Sequence, residues 1–131
     1  MATTTATLTL SSGDLTGDAL SLSTTATLTK AGTVTGLDQF TGIARKTFSS
    51  TAQVTLIAKG DYTDDRAHKV YLKNTSTVAT ENLIVTIESQ LIGRLYAGDW
   101  ALLPFNGDQD IKITPSVGTA MTVEYAVIYE A

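Results

Sequence analysis

A strict alternation of apolar and hydroxyl-bearing residues near the start of the chain limits what it can fold into. Ala6, Leu8 and Leu10 alternate with threonines, and the six residues 4–9 (TTATLT) recur at 24–29. Successive side chains of a β-strand point to opposite faces, so this period of two predicts two half-buried strands. The two copies are too few for a solenoid, which needs about three or more repeats.

Threonine takes the place of the charged residues that an average domain carries. The chain has 131 residues, of which 24 are Thr, and 16 of these precede residue 61. Charged residues make up 17%, against roughly 25% in average domains. Because β-branched side chains suit a pleated strand better than a helix, this composition excludes coiled coils and helical bundles.

Further segments with strand character follow, separated by turns that contain Gly, Asn or Asp. The clearest covers 121–130, where Val123, Tyr125 and Val127 share one face and Glu124 lies on the other. No segment has a convincing helical period. The short strands predict an all-β chain that folds as an antiparallel β-sandwich of jelly-roll type. The other segments of this kind are 52–58, 69–73, 83–88, 93–96 and 110–114.

The composition changes near residue 38. Residues 1–38 contain no aromatic side chain, and all Tyr, Phe and Trp residues follow, so the sandwich domain is predicted to comprise 39–131. Residues 1–38 are a Thr-rich segment with two interpretations. They form either an edge hairpin of the same sandwich or an extended arm that is ordered against neighbouring subunits. Uncharged strand edges need a cover, which a partner chain supplies most directly.

Catalytic and metal-binding chemistry has little support in the sequence. The chain has no cysteine and one histidine, His68, which excludes disulfides, thiolate nucleophiles and multi-His metal sites. His68 has no nucleophile motif beside it, and we expect it to be a solvated side chain. The Asp-rich segments 61–65 and 106–110 are weak candidates for Ca²⁺, and Asn106-Gly107 predicts a hairpin turn. We therefore expect no enzyme activity and no cofactor.

The charge and the hydropathy pattern also limit the partners. With a net charge of −4 and a pI near 4.7, the chain has no basic patch for nucleic acid. The N-terminal residues lack the features of a secretory signal, and no apolar run approaches the ~18 residues of a membrane span. Asn74-Thr75-Ser76 matches the glycosylation pattern, which we interpret as a chance match without a secretory signal.

The segment 97–105 (AGDWALLPF) is the strongest local signal. Alternation puts Trp100 and Leu102 on one side of a strand and Leu103 and Phe105 on the other. Such a segment is either a core anchor or an exposed adhesive patch. Because both sides are apolar, the pattern favours burial on both, with a subunit interface on one.

Four segments of the C-terminal half carry a resemblance, with the Gly-Asp-Trp step and the following proline as the most distinctive parts. They are 70–76 (VYLKNTS), 92–105 (IGRLYAGDWALLPF), 110–115 (DIKITP) and 123–129 (VEYAVIY). In this order they resemble small virion proteins of tailed bacteriophages, the kind found as capsid decoration (cement) proteins or small tail components. The resemblance covers roughly residues 68–131.

The resemblance implies a non-enzymatic structural protein on the outer surface of a capsid, made in the bacterial host's cytoplasm. Its implied partners are the major capsid protein and further copies of itself, as a homotrimer. The alternative is a small tail or fibre-associated adaptor or carbohydrate-binding module. In that alternative Tyr125, Tyr129 and Trp100 would stack on sugar rings, unless they fill the core instead.

The residues expected at protein contacts are weakly charged strand positions of the N-terminal segment and apolar positions around the tryptophan. A decoration protein would use the former to add strands to a capsid edge. These residues are Thr5, Ala6, Thr7, Leu8, Thr9, Leu10, Leu20, Leu22, Ala26, Leu28, Trp100, Leu103 and Phe105.

Overall fold

The computed structural model describes residues 2–131, and within this range the chain consists of β-strands joined by turns and loops. None of the described residues belongs to a helix that could cross a membrane. The strands are β1 (Thr4–Ser12), β2 (Leu20–Leu28), β3 (Gln39–Phe40), β4 (Ala44–Thr47), β5 (Val54–Ile57), β6 (His68–Asn74), β7 (Asn82–Ile87), β8 (Gln90–Tyr96), β9 (Trp100–Phe105), β10 (Ile111–Pro115) and β11 (Thr122–Tyr129).

The body of the molecule is an antiparallel β-sandwich. Its four-stranded sheet has the order β5-β10-β7-β8. In its five-stranded sheet β11 is flanked on one side by β6 and then β9, and on the other by β3 and β4, which pair with different parts of β11. The predicted all-β sandwich is confirmed, whereas the jelly-roll connectivity stays a prediction.

The hydrophobic core lies between the two sheets and follows from the alternation along their strands. Val70 and Leu72 of β6 and Val123 and Val127 of β11 point inwards from the five-stranded sheet and are buried. Burying one such side chain stabilises the fold by about 1.5–3 kcal/mol. The face of β11 that the sequence predicted is therefore the core face. The four-stranded sheet contributes Ile57, Leu83, Val85, Leu95, Ile111 and Ile113.

The tight hairpin of the four-stranded sheet lies at β7–β8, where Ile87 is opposite Gln90 and Glu88 has a φ of 53°. The sequence predicted a hairpin at Asn106-Gly107 instead, and this prediction is wrong. The strands before and after that segment belong to different sheets, so the loop crosses the end of the sandwich. Gly107 is needed there, because a Cβ would lie 2.5 Å from the carbonyl oxygen of Thr63.

Strands β1 and β2 form a two-stranded antiparallel sheet of their own, and the described strands of the body pair with neither. We call this hairpin, residues 4–28, the arm. Its register runs unbroken from Thr4 opposite Leu28 to Ser12 opposite Leu20. At about 3.3 Å per residue each strand is roughly 30 Å long.

The base of the arm is fixed to the body through the segment that follows β2. Leu37 is buried, and its N–H donates to the carbonyl oxygen of Leu28 at 2.9 Å. The hydroxyl of Thr4 donates to the carbonyl oxygen of Leu37 at 2.7 Å. The buried carboxylate of Glu130, at the end of β11, accepts the N–H of Ala31 at 2.7 Å. These contacts anchor one end of the arm to the sandwich.

Lys30 and Asp38 form an ion pair within the segment that follows β2. This pair makes the stability of the fold depend on pH. The ammonium of Lys30 lies 2.7 Å from Oδ2 of Asp38. Its hydrogen bond, opposed by desolvation, holds the pKa of Asp38 below the ordinary value of 3.8. A carboxyl with a lowered folded-state pKa stabilises the fold above its unfolded pKa, and this contribution is lost as the pH falls through the lowered value. We therefore expect Lys30→Met to raise the pKa of Asp38 towards 3.8, as measured by NMR titration.

The matched control for this titration is Lys46→Met, which removes a cation from β4 and leaves the Lys30–Asp38 pair intact. In this variant the pKa of Asp38 should stay at its wild-type value. The assignment of the ion pair is contradicted if Asp38 titrates identically in the wild type and in Lys30→Met.

Candidate protein-interaction surface

The arm presents two chemically different faces, because its strands pair with even positions opposite even positions. Ala6 lies opposite Ala26, and Leu10 lies opposite Leu22. The apolar face comprises Ala6, Leu8, Leu10, Leu20, Leu22, Ala26 and Leu28, together with Thr4, Ser12 and Thr24. The hydroxyl face comprises Thr5, Thr7, Thr9, Ser11, Ser21, Ser23, Thr25 and Thr27. Neither strand contains a charged residue.

The apolar face is covered at the base of the arm and exposed towards its tip. Leu28, beside the buried Leu37, is 7% exposed. At the other end Leu10, Leu20 and Leu22 are 37–44% exposed, and Leu15 in the connecting loop is 52% exposed. Isolated apolar residues are normal on a protein surface, whereas large contiguous apolar patches are typical of interaction sites.

Two adjoining clefts of about 330 and 290 Å³ separate the base of the arm from the outer face of the five-stranded sheet. Ala6, Leu28 and Leu102 line both clefts. Trp100 lines one cleft and Ile128 lines the other, and the walls of both clefts are predominantly apolar. The arm and the sheet therefore form an open apolar wedge, which comprises these two clefts.

The alternation predicted along β9 is confirmed, and it separates the predicted contact residues into two groups. Trp100 and Leu102 lie on the outer face, where Trp100 is 54% exposed. Leu103 packs against the core, and Phe105 is 4% exposed within it. A contact role for Leu103 and Phe105 does not fit this placement, because the inner side of β9 is covered by the opposite sheet of the same chain.

The aromatic side chains named for carbohydrate stacking do not share a face. Tyr125 and Tyr129 of β11 point towards the core, and the ring of Tyr129 packs edge-on against Tyr62 with their centroids 5.1 Å apart. Trp100 lies on the outer face of the same sheet. A single platform made of these three rings is therefore absent from the described residues, and the interpretation as core residues holds for the two tyrosines.

His68 is fully buried, so the expectation of a solvated side chain is wrong. It opens β6 at an inward-facing position of the same alternation as Val70. Its Nδ1 accepts the N–H of Glu130 at 3.3 Å, and Nε2 lies 2.9 Å from the carbonyl oxygen of Thr63. With Nδ1 as acceptor, Nε2 carries the proton and donates it to that carbonyl. Both ring nitrogens of His68 are thus hydrogen-bonded to backbone groups, and the side chain has a structural role.

The Asp-rich loops use their carboxylates to fix turns. Oδ1 of Asp65 accepts a hydrogen bond from the side chain of Asn106 at 3.3 Å, and Oδ1 of Asp110 accepts the N–H of Lys59 at 2.8 Å. Across residues 2–131, the described part of the chain, no group of three or more His, Cys, Asp or Glu could hold a metal ion.

A polar rim borders the apolar wedge on the outer face of the five-stranded sheet. Glu124 is paired with Arg45, with Nη2 and Oε2 3.0 Å apart, and its Oε1 accepts the hydroxyl of Tyr71 at 3.2 Å. The hydrogen bond from Arg45 holds the pKa of Glu124 below its ordinary value against desolvation. Desolvation and the hydrogen bond to Glu124 raise the pKa of Tyr71. The carboxylate of Glu124 therefore has its ion-pair and hydrogen-bond partners within the chain.

No protein-family model, no curated protein and no solved structure matches the chain.

Proposed function

We propose that the protein is a structural virion protein, a capsid decoration (cement) protein that binds and stabilises the assembled head of a tailed bacteriophage. The observation that carries this proposal is the arm, an uncharged hairpin roughly 30 Å long with an exposed leucine stripe at its free end. Removing apolar surface from water is favourable by about 25 cal/mol per Å². A protein partner that covers this stripe would therefore gain affinity without any charge complementarity.

The proposed partner is the major capsid protein, with the decoration protein on the outer surface of the particle after synthesis in the host cytoplasm. One arm is only two strands wide, whereas a standard interface buries roughly 800 Å² per partner. A repeating shell compensates for a small contact area. Many weak contacts on one particle, or several contacts made by a homotrimer, together give high avidity. The resemblance of residues 68–131 to virion proteins supports the same assignment.

The wedge between the arm and the body adds a second contact. Its apolar walls include Trp100 and Leu102, which are 54% and 38% exposed. An exposed tryptophan beside a cleft is the kind of residue that dominates binding energy in interfaces. In this proposal a loop or strand of the capsid protein lies in the wedge, while the tip of the arm reaches the next capsid subunit.

A small tail or fibre-associated adaptor is the second candidate, because the same exposed arm could join two tail components. The carbohydrate-binding version of that candidate is weaker, since Trp100 lies on the opposite face from Tyr125 and Tyr129. Copy number separates the head from the tail: a shell protein is present in hundreds of copies per particle, whereas a tail part is present in a few dozen at most. Quantitative mass spectrometry of purified particles measures this number.

Shortening the arm tests the binding proposal. Residues 9–23 are replaced by a two-residue Asn-Gly turn, which joins the opposing residues Leu8 and Thr24. The change removes Leu10, the tip and Leu22 but keeps the anchoring contacts of Thr4 and Leu28. We expect affinity for expanded, undecorated capsids to fall by about tenfold or more, which corresponds to about 1.4 kcal/mol. Co-sedimentation with capsids measures it.

The control variant carries Ser11→Ala, Ser21→Ala and Ser23→Ala on the hydroxyl face of the same arm. It leaves the leucine stripe unchanged, and we expect capsid binding within about twofold of wild type, since no apolar contact is lost. Undiminished attachment of the shortened protein would contradict the arm model.

A further inference from the structure

The apolar face of the arm is turned towards the outer face of the five-stranded sheet. Leu8 and Ala26 of the arm line the same cleft as Trp100 and Leu102 of β9. The cleft has a volume of about 290 Å³, so these side chains face each other across a gap. Two apolar surfaces in this position gain free energy when the water between them leaves and they come into contact.

The sheet presents further exposed apolar side chains to the same part of the arm. Phe40 and Ile43 line the adjoining cleft and are 58% and 63% exposed. Large apolar patches are uncommon on the surface of a monomer unless another surface covers them. The arm of the same chain borders this cleft with Ala6 and Leu28, so it is the surface already placed to cover the patch.

The arm by itself has too few strands to be stable in water. An isolated two-stranded hairpin is marginally stable, and packing against a further element stabilises it. The described strands of the body pair with neither β1 nor β2, so this packing has to come from the apolar face. On that face Leu28 is buried, whereas Leu8 is half-buried and Ala26 is exposed. An arm that lay on the sheet would bury these side chains as well.

The described hydrogen bonds leave the arm free to move beyond its base. Its anchors are the hydrogen bonds that join Thr4 and Leu28 to Leu37. Further along, the hydroxyl groups of Thr7 and Thr25 lie 3.0 Å apart and bond to each other within the arm. The arm can therefore approach the sheet while its anchoring contacts stay intact.

We propose that the arm is a strap that closes on the outer face of the five-stranded sheet while the protein is free. In the closed state the two sheets pack face to face at the usual separation of about 10 Å. Leu8 and Ala26 then lie against Trp100 and Leu102. The leucines nearer the tip of the arm line neither of the two clefts, so closure leaves the tip available.

Closure regulates access to the wedge, and this consequence rests on the proposed function. A capsid segment enters the wedge only when the arm is open, so the closed population lowers its apparent affinity. The tip of the arm stays exposed in both states and meets the shell first. A partner that binds only the open arm shifts the population towards that state.

The single tryptophan of the chain reports closure, because Trp100 lies in the wedge. Leu8→Lys places a cation on the apolar face of the arm, where burial of an unpaired charge is costly. Lys73, which lines a neighbouring cleft beside Trp100, adds repulsion. We expect acrylamide to quench Trp100 at least about twofold more strongly in Leu8→Lys than in the wild type, because the open population rises. The emission maximum should also move to longer wavelength.

The matched control is Thr9→Lys, which places the same cation on the hydroxyl face of the same strand. We expect its quenching to equal that of the wild type. A second variant, Ala26→Lys on β2, should reproduce the increase seen for Leu8→Lys, so that the result does not depend on one strand. Equal quenching in the wild type, Leu8→Lys and Ala26→Lys would overturn the strap.

Protein concentration separates closure within one chain from association of copies. Closure gives the same quenching at every concentration, whereas a second copy that covers Trp100 would protect it more as the concentration rises. Protection that grows with protein concentration would therefore count against the strap. All of these measurements use the free protein, and capsid binding is measured separately by co-sedimentation. A negative result for the strap therefore does not contradict the proposed capsid binding.

Discussion

Replacing Phe105 by alanine is expected to lower the free energy of unfolding by about 3–5 kcal/mol, the usual cost of removing a buried phenylalanine ring. Phe105 is 4% exposed, and its ring packs edge-on against Tyr62 with their centroids 5.8 Å apart. It also lies 6.0 Å from the ring of His68. Because small domains are stable by only about 5–15 kcal/mol, urea unfolding should show a much lower midpoint.

The control is Trp100→Ala at the other end of the same strand. Trp100 is 54% exposed, so the loss of stability should stay below about 1 kcal/mol. The same variant should bind the partner of the wedge more weakly. If Trp100→Ala destabilised the fold as much as Phe105→Ala, then the assignment of the inner and outer sides of β9 would be wrong.

The second large effect is expected for Asn74→Asp at the end of β6. Asn74 is fully buried, and its Nδ2 donates to the carbonyl oxygen of Leu95 at 2.9 Å and to that of Glu81 at 3.4 Å. A carboxylate cannot donate these bonds and would face two carbonyl oxygens without water. We expect a loss of about 3 kcal/mol or more at neutral pH, measured by chemical unfolding, and a smaller loss in acid, where the carboxyl is protonated.

The control makes the same substitution at the buried Asn82. There the side-chain oxygen accepts a hydrogen bond from the guanidinium of Arg94 at 3.3 Å, and a carboxylate would accept it as well. We expect Asn82→Asp to change stability by less than about 1 kcal/mol. Comparable losses for the two variants would argue against the donor role of Asn74.

The location of Asn74 also bears on the glycosylation pattern at 74–76. Its amide is fully buried and bonded to the backbone of two segments outside its own strand, one of them β8 in the opposite sheet. A modification enzyme could not reach it in the folded protein. The interpretation of the pattern as a chance match is consistent with this burial.

The alternation of residues predicted several strands and their faces well. Along β11 the face of Val123 and Val127 is the core face, as the pattern indicated. The segment 40–48 shows no clear alternation of apolar and polar residues, and the structure places β3 and β4 in this region, where they pair with different parts of β11. Short edge strands of this kind carry too few residues to show a period.

The buried role of His68 could have been found by extending the alternation of Val70 and Leu72 backwards by two residues. The charged residues 64–66 directly before it are typical of an exposed loop instead. The hairpin turn at Glu88 contains no Gly or Asn that would indicate it. Glu88 adopts a positive φ, which is unusual for a glutamate. The segment Asn106-Gly107 had that signal without forming a hairpin. Turn chemistry describes the local backbone, and it does not choose which strands pair.

The sequence by itself determined that this chain is built of β-strands and that its first strands carry an apolar and a hydroxyl face. Both follow from a local rule, since neighbouring side chains of a strand point in opposite directions. The tertiary structure alone decided that Phe105 rather than Trp100 faces the core and that the arm stays apart from both sheets. These outcomes depend on pairing and burial between residues far apart in the chain, which no local pattern contains.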